Sequence, residues 1–190
     1  MKLLVIDCCI RGELSSTKRL LKAFIEKFGG GYEVEYLNLC EQNLRPMDND
    51  ELALRNRLVK EGRFDDAMFC YANSFLKADK IVVAAPYWDF SFPALLKVYL
   101  EKLAITGLTF GYEGTSSVGY CKAEKAVLLS TAGGFISGPN LGSEYVKAFV
   151  NMLGITNFSS FVIEGLDIDP SKREQLLLEG IERITSAAEF

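Results

Sequence analysis

The chain reads as an α/β protein in three layers, a doubly wound sheet of five parallel strands in the order 2-1-3-4-5 with helices on both faces. Three observations lead there. Short, almost wholly apolar runs recur along the 190 residues, as strands buried on both faces require. Each pair of runs is separated by a stretch with helical apolar spacing, long enough for a right-handed crossover. No repeat, low-complexity tract or linker divides the chain, so residues 1–190 read as one domain.

The elements follow in order. Leu3-Leu4-Val5-Ile6 is a buried strand, and Leu21, Phe24, Ile25 and Phe28 repeat at the i, i+3, i+4, i+7 spacing of one helix face. Gly29-Gly30-Gly31 ends that helix. Glu33 to Leu37 alternates as an edge strand does. Cys40 to Gly62, with Pro46 and many charges, is expected to be a long connection carrying a short helix. Phe64, Ala67, Met68, Tyr71 and Phe75 form a helical face, with Asp65 and Asp66 in its first turn where they favour the dipole. Ile81 to Ala85 is the third strand. Pro93 opens a helix with Leu96, Tyr99, Leu100 and Leu103 toward the core. Gly107 to Gly119 is a hairpin or covering loop. Ala126 to Ser130, Asn140 to Leu153 and Phe158 to Ile163 are strand, helix and strand. Asp169-Pro170-Ser171 starts the last helix, which carries Leu177, Ile181 and Ile184.

Bulk properties remove several function classes. The net charge is -4 and the basic residues are scattered, which argues against a nucleic-acid or anionic-membrane surface. No stretch reaches the roughly 18 apolar residues of a membrane span, and Met1 to Asp7 is too short and too soon charged for a signal peptide. A cytoplasmic protein is expected. Five cysteines, Cys8, Cys9, Cys40, Cys70 and Cys121, lack any C-x-x-C spacing, so neither a zinc site nor a disulfide framework is expected. There is no histidine. That excludes Ser-His-Asp and Cys-His mechanisms and leaves the chemistry to a cofactor.

In such a sheet the loops after strands one, three and four share the carboxyl edge, where ligands bind. The first, Cys9-Ile10-Arg11-Gly12-Glu13-Leu14-Ser15-Ser16-Thr17, brings three hydroxyls to a helix start. Free N–H groups, the helix dipole and hydroxyl donors suit a phosphate monoester, although Ser and Thr are also ordinary N-caps. It is neither a G-x-x-x-x-G-K-[ST] loop nor a G-x-G-x-x-G fingerprint. The second, Pro86-Tyr87-Trp88-Asp89-Phe90-Ser91-Phe92-Pro93, clusters aromatic rings that either face a flat ligand or cap the core. The third, Thr131-Ala132-Gly133-Gly134-Phe135, places paired glycines after a strand, where they allow positive φ and close approach of a ring edge; a tight turn would use them equally. Together the three loops fit a flat heterocycle with a phosphorylated tail, and FMN is the obvious candidate.

The same residues carry a family resemblance. Pro86 to Leu100 resembles the P-x-[YW]-[ND]-F-x-x-P-x-x-L-K-x-[YL] segment of the FMN-dependent NADH-azoreductases and NAD(P)H:quinone oxidoreductases, a group within the flavodoxin-like superfamily. Gly107-Leu108-Thr109-Phe110-Gly111-Tyr112 is similar to that group's G-x-T-F-x-Y, and Gly133-Gly134 falls at its glycine pair. The resemblance runs from about residue 2 to at least residue 155. It implies a flavodoxin-like fold, with Cys9, Ser15, Ser16 and Thr17 at the FMN phosphate. Pro86, Tyr87, Trp88, Asp89 and Phe90 would lie along the isoalloxazine, and Thr131, Ala132, Gly133 and Gly134 at its polar edge. Cys9 replaces a frequent serine, and a thiol is the poorer donor. Ala132 stands where azoreductases commonly carry arginine or another polar residue. The histidine that some quinone reductases use beside the flavin is missing.

The activity so implied is a ping-pong cycle in which NADH or NADPH reduces flavin N5 and a quinone, azo or nitroaromatic acceptor then collects two electrons, in a slot formed by Trp88, Phe90 and Tyr120. A homodimer with the site near its seam is implied, and no metal. The main competing reading is a flavodoxin-like carrier passing single electrons between proteins, against which stand the mild acidity and the lack of a T/S-x-T-G-x-T loop. An FMN reductase or metal reductase of the same fold ranks behind. Cys8 and Cys9 could form a redox pair, but neighbouring cysteines rarely bridge without strain.

Overall fold

The computed structural model describes all 190 residues. Strand β1 (Lys2–Asp7) leads into helix α1 (Ser16–Phe28), followed by β2 (Glu33–Asn38), α2 (Asn49–Lys60), α3 (Cys70–Lys77) and β3 (Lys80–Ala84). Then come α4 (Ala94–Leu103), a hairpin of β4 (Phe110–Glu113) and β5 (Ser116–Gly119), β6 (Lys125–Thr131), α5 (Leu141–Met152), β7 (Phe158–Ile163) and α6 (Arg173–Ala187). The main sheet runs β2-β1-β3-β6-β7 and every pairing in it is parallel. With the hairpin set aside, this is the order 2-1-3-4-5.

Alternation along the strands divides the core. Leu3 and Val5 face one side, with Leu20, Leu21 and Phe24 of α1 and Leu177 and Ile184 of α6. Leu4 and Ile6 face the other, with Phe75 of α3, Leu96, Tyr99 and Leu100 of α4, and Val146 and Val150 of α5. All of these side chains are at most 3 % exposed, so each of the aliphatic and phenylalanine side chains contributes about 1.5–3 kcal/mol of burial. A smaller cluster of Leu58, Phe69, Ala72, Ile105 and Leu108 seats α2 against the outside of the helical layer. No helix is long and apolar enough to cross a membrane.

Two local expectations need correction. The helix expected from Phe64 to Phe75 begins later: Asp66 caps a 3-10 turn over Ala67–Phe69, accepting the Met68 N–H at 3.0 Å, and the α-helix starts only at Cys70. Asp65 and Asp66 thus precede the helix instead of occupying its first turn. The apolar spacing continued through the turn because Phe64 is drawn into contact with Gly107, and a Cβ there would sit 3.1 Å from the ring. The Cys40 to Gly62 connection contains a full 12-residue helix, capped by Asp48 through the Glu51 N–H at 2.8 Å.

Candidate ligand cleft at the carboxyl edge of the sheet

Parallel strands end together, so the loops after β1, β3, β6 and β7 meet on one edge, where ligands bind beside the reversal of strand order. The sequence pointed to three of these loops. The fourth, after β7, completes the site.

The first loop is held by Asp7, the last residue of β1. Its carboxylate is 1 % exposed and accepts the Cys9 N–H at 2.9 Å, the Tyr36 hydroxyl at 2.7 Å and the Lys18 ammonium. Burial works to raise the Asp7 carboxyl, but the hydrogen bonds from Lys18, Tyr36 and Cys9 outweigh it and hold the group below the usual carboxylate range. Burial likewise pulls the Lys18 ammonium down, and its bonds to Asp7 and Tyr36 more than reverse that. The Tyr36 hydroxyl is pushed up to about 12, chiefly by burial. Lys18 belongs to the first turn of α1, so this cluster fixes the helix start relative to the sheet. Ser15 is the N-cap, accepting the Lys18 N–H at 3.4 Å. The N–H groups of Ser16 and Thr17 donate to nothing in the chain and stand at the positive end of the helix.

The second loop turns sharply. Trp88 and Ser91 exchange backbone hydrogen bonds at 3.1 and 2.8 Å, with Asp89 at φ 48° and Phe90 at φ 66° between them. Two successive left-handed residues define a turn usually made by Asn-Gly, and an L side chain there costs roughly 1–2 kcal/mol. Phe90 is forced outward, 69 % exposed, while Trp88 is 41 % exposed. Tyr87 is tied to the third loop through its N–H on the Thr131 carbonyl at 3.0 Å.

The third and fourth loops are zipped together. Leu166, Asp167 and Gly165 donate their N–H groups to the carbonyls of Ala132, Gly133 and Gly134 at 3.2, 2.8 and 3.0 Å. The N–H groups of Gly133 and Gly134 have no acceptor in the chain. Neither glycine adopts positive φ; over Gly133 the Asp167 carboxylate comes so near that a Cβ would lie 2.3 Å from Oδ2 and push that side chain aside. The expectation of positive φ at this pair is therefore replaced by a close approach.

These loops flank an open cleft of about 160 Å³, lined by Ser15, Ser16, Pro86, Tyr87, Trp88, Thr131, Ala132 and Gly133. Arg11, Leu166, Asp167 and Arg173 line it as well and were not singled out from sequence. Arg11 lay within the first loop. Arg173 stands at the first position of α6, and only the shared strand edge signalled it. Arg173 Nη2 donates to Ser16 Oγ at 3.0 Å, and its other nitrogen pairs with Asp167 Oδ1.

Several expected residues lie outside the lining. Cys9 Sγ sits 4.0 Å from the Ala84 carbonyl oxygen in the α1–α6 side of the core, so its thiol is turned from the cleft. Thr17 is fully buried and shares a 2.7 Å hydrogen bond with Thr131, which occupies its hydroxyl in joining two loops. Asp89, Phe90 and Gly134 do not line the cleft. Tyr120 lies on the hairpin, its hydroxyl 2.0 Å from where a Cβ on Gly111 would be. Cys8 and Cys9 belong to opposite faces of the sheet, and burial pushes the Cys8 thiol up to about 12 and raises that of Cys9 as well. That separation removes the vicinal redox pair.

The fold and the cleft define a doubly wound α/β protein with an anion-favouring site at its switch point. The chain belongs to the Flavodoxin_2 family, of flavodoxin-like fold, whose model matches residues 1–187. It is 34 % identical over 183 residues to FMN-dependent NADH:quinone oxidoreductase 2 of Clostridium acetobutylicum, covering 92 % of this chain and 91 % of that one. It is 35 % identical over 191 residues to the FMN-dependent NADH:quinone oxidoreductase of Lachnoclostridium phytofermentans, covering 96 % and 95 %. The crystal structure of an azoreductase from Bacillus anthracis superposes with a TM-score of 0.83 at 28 % identity, over 98 % of this chain and 97 % of that one.

Proposed function

We infer that the protein is an FMN-dependent NAD(P)H oxidoreductase acting on quinones, azo compounds or nitroaromatics. The observation that carries this is the convergence in one cleft of two kinds of binding surface. At the α1 end stand unpartnered N–H groups with Ser15, Ser16 and two arginines; at the other end are the half-exposed Trp88 and the unpartnered N–H of Gly133. That donor set fits FMN: a phosphate monoester would meet the helix start, a planar ring Trp88, and the ring's polar edge Thr131 to Gly133. The relatives named for FMN, NADH and quinone support the same assignment.

When bound, FMN would supply the two-electron redox chemistry between NADH or NADPH and the acceptor, in the ping-pong manner the resemblance implies. The chain's own residues bind and orient. The backbone N–H donor at Gly133 would stabilise negative charge where it develops on the ring edge. Trp88 supplies a flat wall for an aromatic acceptor. The wider reading is one domain over residues 1–190, a homodimer that brings a second copy beside the exposed Trp88 and Phe90, and a cytoplasmic location.

The test is direct. The purified protein should carry a visible flavin spectrum that NADH bleaches without air and menadione restores. Binding of FMN without bleaching by either nicotinamide would transfer the protein to the electron carriers, and failure to bind FMN at all would end both readings.

A further inference from the structure

Arg173 and Asp167 reach the cleft from the segment after β7, and none of the motifs that point to a flavin accounts for them. Resting on the FMN reading above, we propose that Arg173 is a ligand of the cofactor's phosphate monoester and that Asp167 is an internal competitor which holds the guanidinium in place and gives way to phosphate.

The guanidinium is already at the anion end of the cleft. Its Nη2 donates to Ser16 Oγ at 3.0 Å, one residue from the unpartnered Thr17 N–H. As the first residue of α6, Arg173 is anchored by a helix whose Leu177 and Ile184 are buried in the core. The planar fork of arginine matches two phosphate oxygens at once, which a lysine cannot do.

The backbone of Asp167 is held as firmly. Its N–H is bonded to the Gly133 carbonyl between two further backbone bonds of the same zipper. Its carboxylate lies so close over Gly133 that even a methyl group would collide. The Arg173 and Asp167 side chains are 37 % and 65 % exposed, and an exposed pair of this kind adds little to folding. A carboxylate beside an anion site is unfavourable unless a cation stands between, and Arg173 does. On phosphate binding, Arg173 Nη1 exchanges the Asp167 oxygen for a phosphate oxygen of higher charge. No bond other than hydrogen bonds changes. The device favours a phosphorylated flavin over the same ring system without phosphate.

The test is titration of FMN-free protein with FMN and, separately, with riboflavin, following quenching of flavin fluorescence in the parent, Arg173→Ala, Arg173→Lys and Asp167→Asn. Arg173→Ala should weaken FMN about 10- to 100-fold, the range of a lost charge-assisted hydrogen bond, and leave riboflavin within about twofold. Arg173→Lys should recover part of that loss, and Asp167→Asn should tighten FMN about 3- to 10-fold. Melting curves of the FMN-free variants should stay close to the parent, which separates a binding effect from misfolding. Unchanged FMN affinity in Arg173→Ala, or equal losses for both flavins, would overturn the phosphate role. Weaker FMN binding in Asp167→Asn would overturn the competitor role. A parent protein that takes up no FMN would instead bring down the flavin reading and this inference with it.

Discussion

Replacing Asp7 with asparagine should destabilise the protein more than any other single polar change at the cleft. Its side chain is 2 % exposed and that of its partner Lys18 is 11 % exposed, so the substitution removes the one carboxylate from a largely buried ammonium and leaves it on Tyr36. Breaking one side of such a pair costs about 3–5 kcal/mol. At about 2.1 cal/mol/K per residue, a chain of this length has an unfolding entropy near 0.4 kcal/mol/K, so the midpoint should fall by about 8–12 °C at pH 7. The pH dependence gives an independent check. The folded carboxyl of Asp7 titrates below its unfolded value of about 3.9, so its stabilisation is complete above that value and disappears as pH falls through the lowered folded pKa. The gap between parent and Asp7→Asn should therefore narrow below about pH 4. Melting followed by far-ultraviolet circular dichroism on FMN-free protein, at pH 7 and in steps below pH 5, reads both quantities. A shift under about 2 °C at pH 7, or a gap that does not change with acid, would show that the cluster is not the anchor of the α1 start.

Three further outcomes follow from the geometry. Phe90→Gly should be nearly neutral in a chemical denaturation curve, within about 1 kcal/mol, because the relief of a left-handed phenylalanine offsets both the entropy of glycine and the little burial lost from a ring 69 % exposed; a loss of about 3 kcal/mol or more would mean the ring is packed. Gly119→Ala should cost several kcal/mol by the same measurement, since its Cβ would lie 1.9 Å from the Leu153 carbonyl carbon and 2.0 Å from the Gly154 nitrogen, and backbone cannot rotate away as a side chain can; a wild-type curve would refute that packing. In native protein a thiol reagent should label Cys40 and Cys70 promptly, while Cys8, Cys9 and Cys121 wait for unfolding. Fast labelling of a third thiol would contradict the burial.

The layered architecture follows from local pattern alone. Apolar runs such as Leu3 to Ile6 and Ile81 to Ala85 can satisfy both faces only inside a parallel sheet, and the helical spacing between them leaves little choice of crossover. The aromatic loop between Pro86 and Pro93 and the hydroxyls before α1 were equally legible, because they depend on neighbours within a few residues; the left-handed Asp89 and Phe90 inside that loop were not. Periodicity misread the start of α3, since a 3-10 turn capped by Asp66 keeps the same apolar spacing as an α-helix over so short a span.

Direction and distance were decided only in three dimensions. Cys9 and Thr17 lie in the expected loop, yet one thiol turns to the Ala84 carbonyl and one hydroxyl to Thr131. Tyr120 is committed to the hairpin. Arg173 and Asp167 belong to the site because β7 ends beside β6, and no local pattern encodes the contact of Arg173 with Ser16, 157 positions away. Gly133 shows both sides of this. The sequence marked it as a place for the approach of a ligand's ring edge, and the tertiary structure adds a neighbour that no local pattern showed: the Asp167 carboxylate, carried there by a backbone zipper between two loops that only the closed sheet edge brings together.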